Sequence, residues 1–477
     1  MIEMPRSPHI LAWILLSWSC ASVTSSPPAS PKTSRRPNVV ILVADDLGWA
    51  DVGYHGAKTA TPNIDRLSRE GVRLSSFHAA PLCSPTRAGL LTGRWPIRYG
   101  MGDSVITPWR RWGLPTTEFT LAQLLERAGY GRRGIFGKWH LGHYEQRLLP
   151  LNRGFTRFYG HYNGFVDYFT KKREGERDWH LDFAASQDEG YATDLVGREA
   201  AAFIAASPAD EPFFLYVPFS APHSPLQAKP DDVARYAHIA DADRRTYAAM
   251  VDSLDQAVGA VLSAIDAKGI ARDTFVLFFS DNGGVSRYGS NLPWRGDKGS
   301  VYEGGVRVPA IVRWPAGIEG GREIQATTGY IDVYPTVKRV AGLTGSDPNP
   351  LDGVDMLDVI RGGPAPSRDW FTYIAQGAPE ASAIQDGAWK LVVSGGSALH
   401  ATIADGEEGR PSLPSVELFR LDRDQGEQTN LVGEHPEIAA RLLERLQGFR
   451  RLRMDGAPDF REGSAGFKAP KEWMISK

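Results

Sequence analysis

The 477 residues are 42% hydrophobic and 23% charged, an ordinary globular composition with ample material for a large core and, by length, two or three domains. Lys and Arg number 54 against 56 Asp and Glu, a formal charge of −2. With no basic excess and no aromatic-basic interleaving, nucleic acid is excluded as an expected partner.

In chain order, residues 1–21 read first, as an export signal. Arg6 supplies the positive start, residues 10–18 the apolar run, and residues 19–21 the small side chains for cleavage. The run is too short to span a bilayer. Cys20 leaves open a lipid tether, although Leu16 sits one position too far upstream for that motif. A Ser/Pro/Thr-rich linker follows over 22–36. No later segment reads as long and apolar enough to cross a membrane, so the expected location is periplasmic or extracellular.

Four apolar, β-branched-rich runs come next, and each ends abruptly in polar residues. Residues 38–44 end in Asp45-Asp46, residues 134–137 in Lys138-Trp139-His140, and residues 274–280 in Asp281-Asn282, while 213–217 lead to Pro222-His223. Such runs are strands buried on both faces. Amphipathic helical patterns lie between them over 63–70, 120–128, 193–206 and 244–268. The alternation predicts an α/β fold: a large, mostly parallel sheet sandwiched by helices, with ligands beyond the carboxyl ends of the strands. The polar residues ending these runs are therefore expected to meet at one rim. After about Arg361 the pattern changes to short strands at 371–374, 383–384, 389–393 and 417–421, then an amphipathic helix over 436–452. This predicts a main domain over 37–361 and a smaller C-terminal α+β domain, 362–477, with an antiparallel sheet.

Asp45, Asp46, Asp281 and Asn282 sit where buried strands emerge. One such pair alone reads as a cap for the turn that follows. Two pairs crowded together would repel unless a cation neutralised them, and hard oxygen donors favour Ca²⁺ or Mg²⁺ over zinc or copper. Cys83, in Leu82-Cys83-Ser84-Pro85-Thr86-Arg87, is the one thiol outside the export signal, and its neighbours argue against a mere packing role. Pro85 suits the first turn of a helix, which would put residue 83 at a helix N-terminus, where negative charge is stabilised. Arg87, about one turn on, can point back toward it. Lys138 and His140, two apart at a strand end, are expected to project to one side. His223 lies in a proline-stiffened loop and Lys298 in a Gly-rich one. His55, His78 and His400 lack such surroundings and read as structural.

The string Cys83-Ser84-Pro85-Thr86-Arg87, with Ala88-Gly89-Leu90-Leu91-Thr92-Gly93 behind it, resembles the signature of the type I sulfatases, formylglycine-dependent members of the alkaline-phosphatase superfamily. Gly137-Lys138-Trp139-His140-Leu141-Gly142 resembles a second sulfatase motif. The likeness runs from about Pro37 to the C-terminal helix, although the run 129–135 is one residue longer than the family pattern. Residues 154–180 and 294–307 resemble sulfatases of the arylsulfatase B type, which act on N-acetylgalactosamine 4-sulfate.

The resemblance implies that a formylglycine-generating enzyme converts Cys83 to formylglycine (3-oxoalanine). It also implies that Asp45, Asp46, Asp281, Asn282 and an oxygen of the modified residue 83 hold one Ca²⁺, with Mg²⁺ the alternative. One hydroxyl of the hydrated aldehyde would attack sulfur, and His223, assisted by Lys298, would protonate the departing alcohol. His140 would take a proton from the second hydroxyl, releasing sulfate and restoring the aldehyde, while Lys138 and Arg87 add positive charge. The implied substrate is a sulfated carbohydrate or aryl sulfate. The rivals are a phosphonate or phosphodiester hydrolase of the same fold, and a non-catalytic sulfated-glycan-binding protein whose Cys83 stays a thiol.

Overall fold

In the computed structural model the described residues are Met1, 36–376, 379–403, 414–457 and 462–475. Residues 2–35, which carry the export-signal, Cys20 and linker readings, lie outside them. Strand β1 (Asn38–Ala44) runs through the middle of a sheet that has ten strands among the described residues. All seven β1 residues are buried, as an unbroken apolar run requires. Val39, Ile41 and Val43 face one core layer, and Val40, Leu42 and Ala44 the other.

The remaining labelled strands are β2 (Val72–Leu74), β3 (Arg132–Lys138), β4 (Arg157–His161), β5 (Phe213–Pro218), β6 (Thr274–Ser280), β7 (Ala310–Arg313) and β8 (Arg322–Ile324). The spatial order is β8-β2-β7-β6-β1-β5-β3-β4, closed at one edge by the short pair His180–Leu181 and Ala184–Ala185. Strands β6, β1, β5, β3 and β4 are parallel, with Ile41 in register between Leu277 and Tyr216. Both flanks contain antiparallel pairs, so the sheet is mixed. Parallel neighbours need a long crossover. The β6–β7 connection holds only the short helix Glu303–Val306 among loops, and β7 accordingly returns antiparallel.

Helices cover both faces, as parallel strands demand. Helices α1 (Pro62–Glu70), α4 (Ala192–Ala205) and α5 (Ala242–Ala267) pack on the layer of Val40 and Leu42. Helices α2 (Cys83–Thr92), α3 (Leu121–Arg127) and α6 (Val333–Val340) pack on that of Val39 and Ile41. The start expected at Thr120 is a capping box: its side chain accepts from Gln123 N while the Gln123 side chain accepts from Thr120 N. One correction concerns α5, which is long and apolar enough to cross a membrane by length and composition, contrary to the sequence reading. Most of it is buried here, against the sheet and α4, as a core helix.

The second sheet is antiparallel in chain order: β9 (Asp369–Ile374), β10 (Ala381–Asp386), β11 (Trp389–Ser394) and β12 (Ser415–Arg420). Helix α7 (Pro436–Arg450) covers one face, setting Ala439, Leu442 and Leu446 in one core with Ile384, Leu391 and Leu418. The other face, with Ala383, Val392 and Phe419, shares a core with Leu82 and Val301. Leu82 immediately precedes α2, so this sheet buttresses the segment that presents Cys83. The described residues from Arg36 onward form one compact unit.

A buried ion cluster ties the two sheets together. Lys390 Nζ lies 2.8 Å from Glu303 and 2.9 Å from Glu427, and Glu303 also meets His78 Nε2 at 3.2 Å and Arg307 at 3.4 Å. Without Lys390, two buried carboxylates lose their shared cation. Lys390→Met is therefore expected to lower stability by about 3–5 kcal/mol in urea unfolding. An unchanged midpoint would show that the cluster does not hold the sheets together.

Candidate active site

Parallel neighbours deliver their carboxyl ends to one rim. Asp45 and Asp46 follow β1, Lys138 ends β3, Asp281 and Asn282 follow β6, and His223 lies in the turn after β5. Residues 235 positions apart thereby meet: Asp46 N donates to Asp281 Oδ1 at 3.4 Å. Asn282 Nδ2 donates to Asp46 Oδ1 at 2.7 Å. Asp46 has a left-handed φ of 64°, which Asp tolerates better than most residues and which ends the strand's alternation between faces. Cys83 opens α2 and its Sγ donates to Asp45 Oδ1 at 3.5 Å. Donor atoms of Asp45, Asp46, Cys83 and His223 all lie within 4.8 Å of one another. Lys138 Nζ bonds Asp45, and Lys298 Nζ sits 2.7 Å from Asp46 Oδ1. The fold thus gathers the residues singled out in sequence, whereas His55 stacks on Trp49 and His400 is exposed.

Two geometries differ from expectation. Arg87 does not reach for residue 83: its guanidinium donates to Asp281 Oδ2 at 2.7 and 3.0 Å and to Lys138 O at 3.2 Å, and lies 3.4 Å from Asp45. Buried carboxylates attract a guanidinium more strongly than a protonated thiol does. Nor do Lys138 and His140 share a strand face, because β3 stops at Lys138 and His140 has a left-handed φ of 55°. His140 Nε2 lies 2.9 Å from Ile106 O. A carbonyl only accepts, so Nε2 carries the hydrogen, and the buried Nδ1, unpartnered among the described residues, keeps a lone pair.

Ser84 and Thr86 enter the sequence motif only as neighbours of Cys83. In the fold they also hold the rim: Ser84 Oγ donates to His140 O at 2.9 Å and accepts from Ile106 N at 3.0 Å. Thr86 Oγ1 donates to Asp281 O at 2.6 Å. Sequence reading attached no role beside His223 to Phe165 or Tyr168. Phe165 stacks on the His223 ring with centroids 5.6 Å apart, and the Tyr168 hydroxyl lies 2.9 Å from His223 O. Both come from the excursion between β4 and α4, which has no period to read.

The electrostatics are those of a cluster in which three buried carboxylates, Asp45, Asp46 and Asp281, meet three cations, Arg87, Lys138 and Lys298. Burial raises the Asp45 carboxyl, but Lys138, His223, Arg87 and Lys298 together hold it far below the usual carboxylate range. Asp281 moves the other way, pushed up to about 6 by burial and by the Asp45 charge despite Arg87. Burial works against the Lys298 ammonium, yet Asp46 keeps it charged. Burial, and then Lys298, bring His223 down to about 4, and burial and Lys138 hold His140 well below its ordinary value. Burial and Asp45 push the Cys83 thiol up to about 12. Asn282 Oδ1 is buried with no partner among the described residues. An orphaned amide oxygen beside three carboxylates fits a hard divalent cation. Among the described residues, His223 joins this group as a donor that the sequence reading did not place on the metal.

A nucleophile position at a helix N-terminus, ringed by buried cations and carboxylates, suits transfer of a tetrahedral oxyanion, and on this sheet it defines an alkaline-phosphatase-like hydrolase. Within that class the chain belongs to the sulfatase family of sulfuric ester hydrolases, whose family description, Sulfatase, matches residues 37–343. Arylsulfatase J of Mus musculus is 32% identical over 90% of this chain and 78% of its own length. N-acetylgalactosamine-6-sulfatase of Mus musculus is 33% identical, covering 88% of each chain, and arylsulfatase A of Homo sapiens 35%, again covering 88% of each. The crystal structure of Ps i-CgsB matches with a TM-score of 0.81 at 29% identity, over 91% of this chain and 96% of that one, and was also solved with k-i-k-neocarrahexaose. Differently named sulfatases match alike, so the family is established while the likeness to the arylsulfatase B type is not singled out.

Proposed function

We propose that the protein is exported and hydrolyses sulfate esters of a sugar or glycan, with residue 83 converted to formylglycine. The observation that carries this reading is the state of Cys83. It is fully buried, with burial and Asp45 pushing its thiol up, and it opens α2 with Sγ 3.5 Å from Asp45 Oδ1, at the helix N-terminus on which the charged rim converges. As formylglycine hydrate, residue 83 would offer two hydroxyls on one carbon, one to attack sulfur and a second whose proton loss would break the carbon–sulfate bond, releasing sulfate and re-forming the aldehyde. Asp45, Asp46, Asp281 and Asn282 would hold a Ca²⁺, or an Mg²⁺, which would supply Lewis acidity to the reaction.

The remaining chemistry belongs to the chain's own side chains. Lys138 and Lys298 are fixed positive charges at the rim, bound to Asp45 and Asp46. The bare Nδ1 of His140 is the proton acceptor. At rest His223 is neutral, with Nδ1–H donating to Ser224 O at 2.5 Å and Nε2 3.7 Å from Asp46. Negative sulfate charge arriving beside it favours the imidazolium, which protonates the leaving oxygen, while charged Lys298, on the same Asp46, assists by its positive charge. Arg87 is a positioning residue that holds Asp281. A relative named for N-acetylgalactosamine 6-sulfate and a neighbour solved with a neocarrahexaose support a sugar substrate.

The test is sulfate release across a panel of sulfated sugars, using protein whose residue-83 peptide has been weighed, conversion making it lighter than the cysteine form. Release should scale with the converted fraction; release independent of it would remove the formylglycine role. His223→Ala should lower kcat on sugar sulfates by about 10²–10⁴ and on nitrophenyl sulfate much less, because nitrophenolate leaves without a proton. Equal losses on both would take the acid role from His223. Faster turnover of phosphonate or phosphodiester analogues would favour the rival hydrolase.

A further inference from the structure

On the His223 side, the excursion between β4 and α4 builds a feature that the reaction does not use. From the Tyr168 hydroxyl at His223 O, aromatic contacts run outward. The Tyr168 ring stacks on Tyr191 with centroids 5.4 Å apart, and Tyr191 meets Phe169 at 5.3 Å. Tyr191 immediately precedes α4, whose far end leads to the start of β5, so it stands on the rim where the strands present their carboxyl ends. Phe169 is 45% exposed while Tyr168 beside it is 1% exposed.

Against Phe169 opens a cavity of about 580 Å³, lined also by Lys172, Arg177, Glu189, Tyr191 and Lys229. Its positive charge is only partly neutralised. Lys229 pairs with Asp194 and Asp232 and lies 5.7 Å from the Tyr191 ring. Arg177 donates to the backbone carbonyls of Ser186 and Asp188 at 2.8 and 2.6 Å, and no carboxylate bridges it among the described residues. Lys172 is exposed and likewise has no ion pair among them. An exposed aromatic face flanked by cations suits a pyranose ring bearing an anion: the apolar face of the sugar covers the ring while the cations take the charge.

We propose that this cavity is a subsite for a sugar neighbouring the one that loses sulfate, and that this neighbour carries a sulfate or a carboxylate. The inference rests on the reading of His223 as the residue facing the leaving sugar, and it makes the substrate an anionic oligosaccharide. The probes are a sulfated-galactan tetrasaccharide and a uronate-containing sulfated tetrasaccharide, with 4-nitrophenyl sulfate as reference. The proteins are the full converted chain, Phe169→Ala and Lys172→Ala, each exposed enough to change without disturbing the core. Each variant should lower kcat/KM for the preferred tetrasaccharide, relative to the aryl sulfate, by about tenfold, with KM carrying the change and calorimetric Kd weakening in step. Preference for the galactan arm assigns the recognised anion as sulfate, and preference for the uronate arm as carboxylate. An unchanged ratio and Kd in both variants would overturn the subsite even if sulfate is released normally. Tetrasaccharide binding that weakens in Phe169→Ala, with no ester hydrolysed by any form, would uphold the subsite and overturn the sulfatase reading instead.

Discussion

Cys83→Ser is expected to fold as the parent does and to lose multiple-turnover sulfate release by about three orders of magnitude or more. The substitution is nearly isosteric at a position 1% exposed, and a hydroxyl can keep the hydrogen bond that Sγ makes to Asp45 Oδ1. A serine hydroxyl can attack sulfur once. It offers no second hydroxyl on the same carbon, so release would need water to attack the sulfated serine within a buried rim. The expected observation is a sulfated protein by intact mass after incubation with substrate, with no more than one sulfate per chain. Undiminished turnover would remove formylglycine from the reading. A parent protein that keeps its thiol, binds sulfated glycans and releases no sulfate would leave the binding-protein rival standing.

Arg87→Met is expected to cost about 3–5 kcal/mol, because it strips the partner from a buried carboxylate and leaves Asp281 beside Asp45 uncompensated. The cost should depend on pH in a definite direction when measured in chelator. Burial and Asp45 already hold Asp281 at about 6, above its unfolded value of 3.8, with Arg87 opposing them. Loss of Arg87 raises the folded value further. A group raised on folding supports stability at low pH and withdraws that support as pH rises through its folded value. The variant's deficit relative to the parent should therefore be smaller near pH 5 than near pH 8 in urea unfolding. Arg87→Lys, which keeps the charge but not the planar fork, should fall between the two. A deficit that is absent, or that shrinks as pH rises, would show that Arg87 does not hold Asp281.

The central parallel strands were legible because a strand buried on both faces leaves an unbroken apolar run, and Asn38–Ala44 and Thr274–Ser280 have the bounds that pattern gives. The acidic pairs were legible because they end those runs, and parallel neighbours present their ends together. Ser84 and Thr86 were visible as residues but not as partners. Their hydrogen bonds run to His140 and Asp281, 56 and 195 positions away, and no local pattern encodes so distant a pairing.

The sequence by itself determined the strand-helix alternation, which follows from local apolar pattern, and its motifs carried the resemblance to the sulfatases that supplied the short list of candidate site residues. Only the tertiary structure decided that Arg87 serves Asp281, that His140 turns left-handed to bare Nδ1, and that an exposed Phe169 stands outward of His223. Those outcomes depend on which buried charges and rings meet across long stretches of chain. Such meetings are settled by packing and by the cost of leaving a charge unpaired.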